Sequence, residues 1–135
     1  MAKNIKTYDV TGFYRYGGSD NGFTGELSVN DSGEITGTIV DPSAANPERQ
    51  IYGSIKQEQD GVVLEFVKVG TGMAADVFCK FLKVLKSEDE SADDYAGGYK
   101  GFWSFAEEII MDFKDGAIST SGDATIGNVT ELTLS

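Results

Sequence analysis

Apolar and polar residues alternate one for one along the first half of the chain, and glycines recur in the middle of those alternating runs. In residues 8–16 (YDVTGFYRY), Tyr8, Val10, Gly12, Tyr14 and Tyr16 share one face; Asp9, Thr11 and Arg15 lie on the other, with Phe13 as the exception. In residues 23–29 (FTGELSV), Phe23, Gly25, Leu27 and Val29 point one way and Thr24, Glu26 and Ser28 the other. A period of two is the mark of a β-strand with one buried face. An interior glycine weakens a strand unless something needs the space. Gly12, Gly25, Gly37 and Gly53 all fall inside such runs. They predict a sheet that bends sharply and closes on itself, as in a small barrel whose interior alternates large and small residues.

The punctuation of the chain agrees. Asn30-Asp31-Ser32-Gly33 holds residue types that tolerate the positive φ of a hairpin turn. Its oxygens also suit a calcium loop, but the longer EF-hand spacing ending in glutamate is missing. Residues 34–40 return as a strand, and Pro42 and Pro47 make 41–49 a loop. Strands follow at 51–56 and 62–69, joined by a turn at 58–61. Residues 74–86 stay open between two readings. Val77, Phe78, Phe81, Leu82 and Leu85 trace an amphipathic helix, yet the same run suits a strand buried on both faces. The acidic stretch 87–94 (SEDESADD) reads as a solvated surface loop. Strand character resumes over 95–105, where Gly101, Trp103 and Phe105 share a face. It continues at 109–113, with a turn at 114–116, a short return at 117–120 and a last strand within 124–134. The expectation is an all-β single domain over 1–135: a small antiparallel up-and-down barrel of eight or nine strands, with one short helix at about 74–86 as the open alternative.

Charge and composition restrict function. The formal net charge is −11, with no histidine and only Arg15 and Arg49 as arginines. Such a surface repels phosphate backbones and anionic headgroups, so neither nucleic acid nor membrane is expected as a partner. A high negative charge also keeps a protein soluble. One cysteine, Cys79, excludes an internal disulfide. The first residues lack the apolar segment of a signal peptide, and no apolar run is long enough to span a membrane. A cytoplasmic location is expected. Asn30 and Asn128, which begin Asn-x-Ser/Thr triplets, are then not glycosylated.

Without histidine the commonest general base and metal ligand are missing, as are Ser–His and Cys–His nucleophilic pairs. A lone thiol cannot build a thiolate zinc or iron–sulfur site. Gly97-Gly98-Tyr99-Lys100-Gly101 lacks the context and ending of a phosphate loop. Asp9, Glu26, Glu65, Glu107, Glu108 and Asp112 sit in or beside predicted strands, but no spacing pairs two of them. Cys79 lies in a Phe-rich run beside Lys80 and reads as a buried inert thiol rather than a reactive one. The expectation is a protein that is not an enzyme and holds no cofactor or metal.

At Gly12-Phe13-Tyr14, in residues 34–39 (EITGTI) and at Gly101-Phe102-Trp103, the chain resembles the calycin-type barrels: lipocalins, fatty-acid-binding proteins and avidins. The resemblance covers roughly residues 8–105 in pattern. Those families carry Gly-x-Trp in the first strand, with the Trp closing one end of the barrel under a late arginine. Here Tyr14 occupies the Trp place, and no arginine follows Arg49. The resemblance implies a cup that often holds a small molecule.

Two functions from different classes follow. In one, the barrel binds a small, mostly apolar or aromatic ligand. Tyr14, Tyr16, Phe66, Tyr99 and Trp103 would line or rim the cavity, with Arg15 and Lys100 as polar anchors. In the other, the aromatics fill a solid core and the protein is a ligand-free, acidic interaction or scaffolding module.

Overall fold

Ten strands account for most of the described chain, and each begins or ends close to a turn signal in the sequence. The computed structural model describes residues 5–43, 47–58, 61–84, 95–105, 109–114, 117–121 and 129–135. The strands are β1 (Lys6–Tyr16), β2 (Ser19–Val29), β3 (Glu34–Val40), β4 (Glu48–Glu58), β5 (Gly61–Lys68), β6 (Val77–Val84), β7 (Gly97–Ser104), β8 (Ile110–Lys114), β9 (Ala117–Ser121) and β10 (Val129–Leu134). Eight of them form a closed antiparallel barrel in the order β1-β10-β7-β6-β5-β4-β3-β2. Neighbours in sequence are neighbours in space except at β7–β10, where the chain inserts the separate hairpin β8–β9. The acidic stretch 87–94, Glu107, Glu108, the centre of the predicted turn at 114–116 and residues 124–128 lie outside the described residues.

Residues 74–84, the described part of the segment 74–86, contain no helix; Val77–Val84 form β6, pairing with β5 and β7. The helical spacing has a physical explanation. Val77, Cys79 and Phe81 face the interior, while Phe78 and Leu82 face outward into clefts shared with Ile109 and with Met111 and Ile118 of the β8–β9 hairpin. A strand covered on both sides needs apolar residues at both parities, and those mimic an amphipathic helix.

Closure rests on the inward glycines. A Cβ placed on Gly53 would lie 2.0 Å from the Glu65 carbonyl oxygen of β5, and one on Gly37 would lie 2.1 Å from that of Glu26 on β2. Real Cβ atoms do not approach so closely, so glycine is required where one strand curls tightly against the next. Gly12, Gly25 and Gly101 stand on the same interior face under the same constraint. At Asn30–Gly33 the side chain of Asn30 accepts hydrogen bonds from the amides of Ser32 and Glu34, both at 2.9 Å. Gly33 follows with φ of 80°. Those oxygens shape the turn.

One end of the barrel is filled. Tyr8, Leu27, Val29, Ile35, Ile55, Val62, Leu64, Tyr99 and Leu134 are buried there. Each fully buried aliphatic side chain contributes about 1.5–3 kcal/mol. The tyrosines bury rings and keep partners: Tyr99 donates to the Tyr95 carbonyl at 2.7 Å, and Tyr8 accepts from the Tyr95 amide at 3.3 Å. Reciprocal bonds between Asp9 and Ser135, at 2.8 and 2.9 Å, extend the β1–β10 seam to this end. The opposite end, where β1, β3, β5 and β7 finish and β2, β4, β6 and β10 begin, is the mouth.

Candidate functional site

The strand parity that fills the closed end delivers a different set of side chains to the mouth. On β1 the even positions face inward, so Tyr14 and Tyr16 follow Tyr8 and Val10 up the wall. On β3 the inward series Ile35, Gly37, Ile39 continues one step beyond the strand to Asp41. On β4 it runs Ile55, Gly53, Ile51, Arg49; on β5, Val62, Leu64, Phe66, Lys68; and on β7, Tyr99, Gly101, Trp103. The mouth-side members of these series, Tyr14, Tyr16, Ile39, Asp41, Arg49, Phe66, Lys68 and Trp103, with Phe23, Ala74, Ala75, Val77, Cys79, Phe81, Phe105 and Thr130, enclose a cavity of about 280 Å³ open at the mouth.

Aromatic rings form most of one wall. Trp103 is 5% exposed. Its ring meets Tyr14 edge-on at 5.9 Å, Tyr16 at 5.7 Å and Phe105 edge-on at 5.2 Å between centroids. Its indole donates to the Arg15 carbonyl at 3.2 Å, which fixes the ring against β1. Tyr14 also stacks on Phe23 at 6.4 Å, and Phe66 lies 5.6 Å from Phe81 across the floor. Edge and offset contacts of this kind leave planar faces available to a guest.

A polar cluster is set into this apolar wall. Tyr14 donates its phenol proton to Asp41 Oδ2 at 2.5 Å. Ser43 donates its hydroxyl to Asp41 Oδ1 at 2.7 Å and its amide to the same oxygen at 3.1 Å. The Lys68 ammonium lies 3.8 Å from Asp41 Oδ2 and 5.7 Å from the centre of the Tyr14 ring. Arg49 is spent on backbone: it donates to the carbonyls of Val69 at 2.7 Å, Ala75 at 2.5 Å and Lys68 at 3.3 Å. It thereby ties the ends of the β5–β6 connection to β4.

These surroundings move the pKa values. Burial alone would raise the Asp41 carboxyl, but hydrogen bonds from Tyr14 and Ser43 and the Lys68 charge outweigh it and hold the group below its ordinary value. Burial, with the Asp41 carboxylate beside it, pushes the Tyr14 phenol up. Burial pulls the Lys68 ammonium down against the attraction of Asp41. It pushes the Cys79 thiol up to about 12, so this cysteine is no nucleophile at neutral pH.

Of the seven residues named from the sequence, Tyr14, Tyr16, Phe66 and Trp103 line this cavity. Tyr99 has the right parity but sits in the filled end, 2% exposed. Arg15 and Lys100 have the wrong parity. Arg15 points outward to Asp20 at 3.0 Å and Lys100 to Glu131 at 3.4 Å. Arg15 reaches the site only through its carbonyl. Asp41, Ser43, Arg49 and Lys68 escaped the sequence reading. The available signal was a charged residue in phase with an apolar face: Lys68 two places after Phe66, and Arg49 two before Ile51. Among the described residues, no group of three or more carboxylate or thiol side chains could hold a metal ion. Compared with known proteins, the chain matches no family model, no curated protein and no solved structure.

Proposed function

We propose that the protein binds a small, mostly apolar or aromatic molecule in the mouth of the barrel and does not act as an enzyme. The observation that carries this is the filling of the barrel at one end only. The same interior that packs Leu27, Ile55 and Leu64 to zero exposure leaves about 280 Å³ under Trp103. Ligand pockets run from about 300 to 1,000 Å³. The cavity therefore suits a compact guest of one or two rings. Tyr14, Tyr16, Phe66 and Trp103 supply apolar faces, and the Tyr14–Asp41–Lys68 cluster supplies one point of polar orientation. The closed eight-stranded barrel and the Gly12-Phe13-Tyr14 segment of its first strand support a calycin-like relationship. Lone Cys79, free in the structure, and the net charge of −11 support a reducing, cytoplasmic setting without nucleic-acid partners.

Trp103 is the only tryptophan and reports on the cavity directly. Titration with a panel of compact aromatics such as para-isopropyltoluene should change its emission saturably. Val77→Phe, which adds volume at the cavity edge, should weaken that response and leave the β-type circular dichroism spectrum unchanged. A parent protein that gives no saturable response to any member of the panel would overturn the binding reading and leave the acidic interaction module in its place.

A further inference from the structure

Lys68 is an amine that the barrel buries in the wall of its cavity without saturating it. Its side chain is 12% exposed, and its closest charged partner, Asp41, stands 3.8 Å away, beyond hydrogen-bond length. Both Asp41 oxygens are already engaged, by Tyr14 on one and Ser43 on the other. Arg49, a second cation in the lining, is committed to three backbone carbonyls. Phe66 precedes Lys68 on the same face, and Val77 pairs with it across the β5–β6 ladder. A lysine desolvated in an apolar pocket beside another cation is the setting in which the neutral amine becomes a nucleophile toward carbonyl carbon.

We propose that Lys68 is a covalent anchor that condenses with an apolar aromatic aldehyde seated in the cavity. This rests on the binding reading above and names the class of ligand. The Nζ lone pair of the neutral amine forms a bond to the aldehyde carbon, and the carbonyl π pair moves to oxygen, which takes up a proton. Nitrogen sheds a first proton, which balances the one that oxygen takes up, and the resulting carbinolamine loses its hydroxyl together with nitrogen's second proton as water while the nitrogen lone pair forms the C=N bond. One amine and one aldehyde become one imine and one water, with no change of oxidation state and no further reactant. Asp41 stands where it can act as counter-ion to the protonated imine, and the apolar wall limits the water that would reverse the step. The lowered pKa of Lys68 enlarges its neutral fraction at neutral pH.

The test uses the full chain, para-isopropylbenzaldehyde and cyanoborohydride to trap the imine, followed by peptide mass mapping. The expected result is a single reduced adduct on Lys68. It should be suppressed by excess para-isopropyltoluene, which has no carbonyl, and lost in Lys68→Arg, which keeps a cation opposite Asp41. The competition arm needs no variant and so does not depend on how one folds. Adducts on exposed lysines such as Lys56 and Lys100, with Lys68 unmodified and para-isopropyltoluene still shifting Trp103 emission, would overturn the anchor and keep the cavity. Absence of both the Lys68 adduct and the Trp103 response would overturn both.

Discussion

At the closed end the inward positions of β2, β3, β4 and β5 hold Leu27, Ile35, Ile55 and Leu64, none more than 1% exposed. Further along the same strands, or one step past the end of β3 for Asp41, the inward positions at the mouth hold Phe23, Asp41, Arg49 and Lys68. Backbone, parity and curvature are shared, so the difference lies in side-chain shape and charge. Branched aliphatic chains interdigitate across the barrel axis and exclude space. Planar rings packed against one another, and charges such as Asp41 and Arg49 held by hydrogen bonds to fixed partners, cannot collapse onto the axis. A void remains between them. One fold thus carries a filled half and an open half.

Truncating the filled half should give the largest effect. Leu27→Ala removes a side chain with no exposure and should cost about 2–5 kcal/mol in urea unfolding. Any ligand response of Trp103 should survive in the folded fraction. Equal costs for truncation at the two ends would erase the contrast between them.

Trp103→Ala tests the open half. The ring borders the cavity, so its loss should cost less than a comparable core truncation, about 1.5–3 kcal/mol. Since the mutant has no tryptophan, binding is followed by calorimetry with para-isopropyltoluene, and the heat seen with the parent should disappear.

Tyr14→Phe should cost about 1 kcal/mol at neutral pH by removing the phenol from Asp41. Its sharper signature lies in acid. Asp41 has a folded pKa below its ordinary 3.8, so its contribution is present above that pH and is lost as pH falls through the lower folded value. Without the Tyr14 hydrogen bond the folded pKa rises, and the acid unfolding midpoint should move to higher pH. An unchanged midpoint would show that the polar cluster does not bear on stability.

Cys79 gives the smallest effect under ordinary conditions. Its pKa rises on folding from 9.0 to about 12, so its contribution is complete below the first value and is lost as pH rises toward the second. Cys79→Ala should flatten that alkaline limb of the stability curve and barely alter stability at neutral pH. A thiol reagent should label the parent slowly when native and quickly in denaturant. Equal labelling rates would place Cys79 outside the packed wall.

The period-two alternation, the interior glycines and the turn residues determined the strands, their antiparallel meander and the closure into a barrel, because each acts within a few residues of backbone. Tyr14, Tyr16, Phe66 and Trp103 were legible as cavity candidates for the same reason: a large ring in phase with an inward face. Local pattern could not separate a strand covered on both sides from a helix at 74–86, since the second cover is the β8–β9 hairpin, distant in sequence. Nor could it tell which end of the barrel would fill. Tyr99 and Trp103 share a strand face, yet one closes the core and the other lines the cavity. Asp41, Arg49 and Lys68 acquire their chemistry only by meeting across three strands. Low dielectric, mutual charge and hydrogen bonds at a few ångströms belong to the closed barrel and to no segment of it.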